Sequence, residues 1–293
     1  MVDVDRFIWA VPEGDQSRSL LGPSRDDWVL EPIPALGSRA LTGAVRLAPL
    51  AGRLIRREQP SLVLSTGAAP ALPFLMQAAR RDVPAYYVES LARLDGPSLS
   101  GRILSRIPRV EMRTQHESLD WPGWRSVGLG LGHYRCEPTT ASSPLEIVVT
   151  VGTTTFDFRR LFARLATVLP PDARVTWQTG TSNVDGLDLE GARALVPPSE
   201  LRAAMQSADV VIAHAGVGSA FDALDAGRLP ILVPRRSTHG EHVDDHQAEV
   251  ATWLADRGLA LSIEADELDL DALAEAAASR VTQAGPPDPL VLD

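Results

Sequence analysis

Asp209–Ser219 reads DVVIAHAGVGS, and AFDALDAG (220–227) and LPILVP (229–234) follow at once. An apolar, β-branched run enters a glycine turn, a helical pattern leaves it, and a second apolar run closes the unit. That is the sequence form of a βαβ unit in a parallel sheet. Gly216 and Gly218 let the backbone approach a ligand with no Cβ in the way. Ser219 is positioned to cap the helix, and the free N–H groups of the first turn suit an anion, a diphosphate among them. The glycine spacing alone is equally that of an ordinary tight strand-to-helix turn, because the third glycine of a dinucleotide fingerprint is missing.

The same alternation extends outward in both directions. Strands are expected at 146–151, 174–178, 193–196, 209–213, 229–233 and 259–263, and in the first half at 7–11, 61–66, 84–88 and 109–113. The expected class is therefore α/β with two parallel sheets. Residues 1–135 are expected to form one domain and 146–285 a second. The glycine- and proline-marked segment 136–145 is read as a linker, and the proline-rich 286–293 as an irregular tail.

Composition narrows the field. The 293 residues are 44% hydrophobic and 23% charged, as in soluble globular proteins. Cys136 is the only cysteine, which leaves no internal disulfide and no cysteine zinc cluster. The start carries Asp3 and Asp5 where a signal peptide has basic residues, and no apolar run approaches transmembrane length, so a cytoplasmic location is expected. Net charge is −10, unevenly spread: residues 1–140 hold 17 Arg and 15 acids, the remainder 11 Arg and 23 acids. Such a chain is a poor general nucleic-acid binder, and an anionic ligand needs local dipoles to overcome the field.

Segment 35–58 places Arg39, Arg46, Arg53 and Arg57 in one helical stripe opposite Leu36, Leu47, Leu54 and Ile55, with Pro49 expected to kink or divide the helix. It reads either as a surface helix packed on its sheet or as a face for an anionic membrane surface, where each arginine contributes about 1 kcal/mol.

Further polar groups gather around the glycine turn. Glu241 lies 23 residues after Gly218, just past the next strand, where acids in nucleotide-binding sheets reach ribose hydroxyls. Residues 240–247, GEHVDDHQ, bring Asp244, Asp245, His246 and Gln247 to a helix start that needs one cap; the hydroxyls of a sugar would occupy the surplus. His239, His242 and His246 suggest a metal set, but the glutamate of an HExxH arrangement is absent, so no metal is expected. His214 fits either a packed histidine or a ligand contact. Gly152-Thr153-Thr154-Thr155 after EIVVTV, with a threonine or Asp157 as helix cap, and Ser65-Thr66-Gly67 after SLVLST, repeat the strand-to-turn design. Glu89 and Arg93 follow another strand.

HAGVGSAFDALDAGRLPILVPRRSTHGEHVDDHQAEVA (214–251), with EIVVTVGTTTFDF (146–158) ahead of it, resembles the donor-binding domain of glycosyltransferase family 28. The likeness is to the catalytic subunit of the two-part UDP-N-acetylglucosamine transferase of the dolichol pathway and its bacterial polysaccharide counterparts. SLVLSTGAAPALPFLMQAARRDVPAYYVESLARLDGPSLSGRIL (61–104) resembles the partner subunit, acceptor half first. The resemblance implies a GT-B fold, two Rossmann-like domains facing a cleft, and an inverting transfer from a UDP-sugar to a lipid-linked acceptor without metal or cofactor. On that basis Thr153, Gly216, Gly218 and Ser219 would face the diphosphate, with Gly152, Thr154 and His214 beside them. Glu241 would take the ribose, and Asp244, Asp245, His246 and Gln247 the donor sugar. Thr66, Gly67 and Arg93 would face the acceptor, with Glu89 as base. Arg39, Arg46 and Arg53 would meet the inner face of the cell membrane. No Gly-Gly-His occurs and FIWAV (7–11) corresponds to the family's second strand, so the N-terminal domain is expected to lack the family's first βα unit. That raises the alternative of a non-catalytic nucleotide-sugar-binding or scaffold subunit.

Overall fold

The computed structural model describes residues 6–13, 27–34, 36, 41–116, 120–128, 131–140, 145–243 and 245–285. These divide into two compact units, one within Met1–Ser90 and Asp95–Val127, the other within Leu91–Leu94 and Gly128–Val291. No helix among the described residues is long and apolar enough to cross a membrane.

The second unit is built on a five-stranded sheet of β8 (Glu146–Thr150), β9 (Arg174–Gln178), β10 (Val210–His214), β11 (Pro230–Val233) and β12 (Leu261–Ser262), in the order β12-β11-β10-β8-β9. Every pairing is parallel. Helices α4 (Arg159–Val168), α5 (Pro198–Ser207), α6 (Val217–Asp225), α7 (His246–Ala255) and α8 (Leu270–Ala277) complete it. Residues 147–149, 210–213 and 230–233 of the central strands are apolar because both faces are covered. Ile147, Val149, Ile212 and Ile231 pack with Phe158, Leu161 and Leu273 on one side. Ala213 and Leu232 pack with Leu224, Val250 and Leu254 on the other.

The first unit has a parallel four-stranded sheet, β3 (Val63–Ser65), β4 (Ala85–Val88), β5 (Val110–Thr114) and β6 (Trp124–Ser126), in that order. Helices α1 (Leu41–Glu58), α2 (Ala71–Ala79) and α3 (Leu99–Leu104) accompany it, with Leu75, Tyr87, Leu104 and Met112 in its core. A separate parallel pair joins β1 (Phe7–Pro12) to β2 (Trp28–Ile33).

Several expectations change. The strand expected at 193–196 is only a bridge from Arg193 to Gln178, because Pro197 and Pro198 end any ladder there. The segment read as a linker contains part of β7 (Tyr134–Pro138), which pairs antiparallel with β13 (Ser279–Gln283) inside the second unit. Both are short, polar strands whose partner lies far along the chain, so no local pattern marks them. Residues 286–293 lie outside the described residues. Helix α1 neither breaks nor divides at Pro49. Pro49 is exposed, so the carbonyl that loses its amide partner can face water.

Candidate functional site

β10 lies between β8 and β11, with Ala213 opposite Thr150 and His214 opposite Val233. Chains leaving the three carboxyl ends therefore emerge side by side. They are the turn at Gly152–Phe158, the turn at Ala215–Gly216 and the loop at Pro234–Asp245. This is the edge at which open parallel sheets bind ligands. The structure brings Gly152, Thr153, Thr154, His214, Gly216, Gly218, Ser219, Glu241, Asp245, His246 and Gln247 to this edge; Asp244 lies outside the described residues.

His214 sits between the two glycine turns. A Cβ on Gly152 would lie 2.6 Å from its Cε1 and 3.0 Å from its Nε2, and one on Gly216 would lie closer still to Nε2. Glycine is required at both positions by this ring, and at Gly152 also by a φ of +70°. Burial above all, and then the nearby Arg235 guanidinium, push the His214 pKa down to about 3. The unfolded chain takes up this proton near pH 6.5 and the native state does not. Stability is therefore insensitive to this group above about pH 6.5 and falls as the pH drops toward 3. At pH 5 the loss is about 2 kcal/mol. Urea unfolding at pH 7 and pH 5 should show a smaller acid loss for His214→Gln than for wild type; identical losses would remove His214 as the titrating group.

Helix α6 begins at Val217 with Gly216 as its N-cap, and no side chain caps it. Ser219 lies within the first turn, a correction to its expected capping place, and this end stays open to an anion. At α4, Phe158 occupies the N-cap position, but Asp157 Oδ1 accepts from Arg159 N at 3.0 Å, as a capping acid would.

The loop after β11 is held internally. Glu241 is 5% exposed, and its carboxylate accepts from Arg160 Nε (3.1 Å), Arg160 Nη2 (3.0 Å) and Arg236 N (3.0 Å). Expected to reach a ribose, this carboxylate instead braces the loop against α4. Asp245 Oδ1 accepts from Ser237 N at 2.8 Å, and the buried Gln247 Oε1 from Arg235 N at 3.2 Å. His242 packs against His246, with ring centroids 4.8 Å apart, and against Phe156 at 5.2 Å, linking two of the three turns. His239 is exposed, and among the described residues no group of three His, Cys, Asp or Glu is placed to hold a metal ion.

In the first unit, Thr66 and Gly67 follow β3 and Glu89 follows β4. Thr66 is exposed, as is Arg93 in the Leu91–Leu94 segment of the second unit. Glu89 is 2% exposed; Oε1 accepts from Ser90 N (3.0 Å) and Tyr87 OH (3.2 Å), and Oε2 from Ser98 N (2.8 Å). Expected as the base, it is a buried carboxylate that joins the end of β4 to the start of α3, with Oε2 accepting one bond.

Sequence reasoning passed over Arg160 and Arg235. Arg160 bonds a carboxylate 81 positions away, which no local pattern announces. Arg235 carries a visible signal, a charge two residues beyond the buried strand PILV. Asp222 on α6 was also passed over; it is half-buried, and burial raises its pKa.

Residues 146–283 match the glycosyltransferase family 28 C-terminal domain. The chain is 28% identical over 252 residues to a UDP-N-acetylglucosamine–N-acetylmuramyl-(pentapeptide) pyrophosphoryl-undecaprenol N-acetylglucosamine transferase from Thiobacillus denitrificans, covering 79% of this chain and 68% of that one. It is 27% identical to the protein of the same name from Ralstonia nicotianae, over 77% of this chain and 65% of the relative. The chain thus spans about two thirds of the length of these curated relatives. Among solved structures, MurG of Acinetobacter baumannii superposes with a TM-score of 0.58 at 18% identity, over 92% of this chain and 79% of that one. The calicheamicin glycosyltransferase CalG4 does so with a TM-score of 0.56 at 15% identity, over 94% and 89%. The fold class is GT-B, as the sequence resemblance implied.

Proposed function

We propose, for a chain whose residues 146–283 match the glycosyltransferase family 28 C-terminal domain, that it transfers a sugar from a UDP-sugar to a lipid-linked diphosphate acceptor. One observation carries this reading: an uncapped helix start and two obligatory glycines surround the His214 ring at the carboxyl edge of β8, β10 and β11. Backbone N–H groups of α6 and of the Gly152–Thr154 turn hold the donor diphosphate there. Asp245 and His246 bond the hexose, while Gln247 fixes the start of their helix to Arg235 N. Thr66, Gly67 and Arg93 serve the acceptor.

The step is an inverting displacement that uses no metal. The acceptor oxygen forms a bond to the anomeric carbon as the carbon–oxygen bond to the diphosphate breaks. The electron pair leaves on the diphosphate, whose growing charge the amides stabilise, and the acceptor proton passes to a general base on the acceptor side. The relatives' names make N-acetylglucosamine and an undecaprenol-linked acceptor the first pair to try.

Membrane contact belongs to α1, with the enzyme peripheral on the inner face of the cell membrane. Arg46 and Arg53 are exposed and make no ion pair among the described residues; Arg57 is spent on Glu31 and Glu58, and Arg39 lies outside those residues. Arg53 also lines a cavity of about 300 Å³ with Arg56 and Arg81.

The test incubates the full chain with UDP-N-acetylglucosamine and the undecaprenol-linked acceptor in anionic and in neutral vesicles. Expected are thermal protection by the donor, UDP release that needs acceptor and survives a chelator, and salt-sensitive flotation with the anionic vesicles alone. Protection without transfer for any UDP-sugar would favour the binding or scaffold subunit. No protection by any UDP-sugar would sink both.

A further inference from the structure

Arg235 is fully buried, yet among the described residues no carboxylate bonds it. Its Nη2 donates to Val151 O at 3.0 Å, its guanidinium lies 5.1 Å from the Phe158 ring centroid, and its Nε and Nη1 have no acceptor. The two acids whose charges reach it are engaged elsewhere: Glu241 by Arg160 and Arg236 N, and Asp157 by Arg159 N and Asn183 N. Burial lowers its pKa to about 10, which leaves it charged at neutral pH. A buried cation without a partner is strongly destabilising unless something supplies the opposite charge.

Its surroundings show the same deficit. His214 Nδ1 and Thr154 Oγ1 are also buried without a partner. To reach Val151 O, the Arg235 side chain must extend from beyond β11 to the end of β8, past the end of β10 that lies between them. A fixed positive charge and four unspent polar atoms thus lie behind the two glycine turns, in a chain whose net charge of −10 would repel an anion.

We propose that Arg235 is the counter-charge of the ligand's diphosphate, a positioning residue that acts through the low-dielectric edge of the sheet rather than by direct contact. Its charge adds to burial in disfavouring a proton on the His214 imidazole between Gly152 and Gly216, and it draws a nucleoside diphosphate to the turns in front of it. The ligand supplies the compensation that the protein omits. This inference rests on the donor-site reading above.

The test compares wild type, Arg235→Met and Arg235→Lys by thermal unfolding without ligand and by calorimetric titration with UDP and with UMP at fixed ionic strength. Arg235→Met is expected to unfold at a higher temperature than wild type, because it removes an unpaired buried charge. It should bind UDP on the order of tenfold to a hundredfold more weakly, with a smaller loss for UMP. Arg235→Lys should keep most of the preference for UDP over UMP. An Arg235→Met protein that is less stable but binds UDP as wild type does would show a structural brace and overturn the inference. So would equal losses for UDP and UMP. If the methionine variant fails to fold, a lysine variant of wild-type stability that has lost the UDP preference is equally fatal. Wild type that ignores UDP altogether fails the donor-site reading itself, and the inference falls with it.

Discussion

Alanine at Gly152 is expected to cost about 2–4 kcal/mol of stability and to abolish detectable UDP binding. Two costs add. A φ of +70° is disfavoured for any residue with a Cβ, by about 1 kcal/mol. The new methyl would also meet His214 Cε1 at 2.6 Å. That ring cannot move aside: it is 7% exposed, and Gly216 closes its other edge. Overpacking of this kind costs about 1–3 kcal/mol. Gly218→Ala is the control, because φ there is not positive and a Cβ meets nothing within 4 Å. It should fold as wild type does, so any loss of UDP affinity would report on the ligand alone. Urea unfolding of the two variants, followed by calorimetry with UDP, separates these effects. A Gly152→Ala protein with the wild-type midpoint would mean that the ring does not fill this space.

Glu241→Ala should destabilise the protein by about 2–3 kcal/mol. The carboxylate is the buried member of its pair, so removing it strands two Arg160 donors and the Arg236 amide. The loss stays below that of a fully enclosed pair, because Arg160 is 23% exposed and keeps Asp266 at 3.3 Å. Arg160→Ala combined with Glu241→Ala should cost less than the two singles together, the mark of coupled partners. UDP affinity should fall only as far as the loop at 236–245 loosens. Unchanged stability with a large loss of UDP binding would reverse the assignment and return Glu241 to the ribose.

Those two residues mark how far local sequence reaches. β8, β10 and β11 were legible because strands covered on both faces carry continuous apolar runs, and the glycine turns follow from where those runs stop. β7 and β13 were not legible: each is short and polar, and what makes them strands is the other one, more than a hundred residues away. The same blindness applies to acids. Glu89 stands just past the end of β4 and Glu241 in the loop after β11, where a site acid belongs. Tyr87, Ser90 and Ser98 occupy the first; Arg160 and Arg236 occupy the second.

From its residues alone this chain was committed to parallel α/β architecture and to glycine turns at one sheet edge, and it resembled glycosyltransferase family 28. The first two features follow from periodicity and from close approaches that only glycine allows. Tertiary structure decided which polar groups remain available there: it spent Glu89 and Glu241 on internal partners and left Arg235 buried with two of its three guanidinium nitrogens unpaired among the described residues. A side chain's charge is written in the sequence, but whether that charge is already satisfied depends on what long-range folding brings within about 3 Å of it.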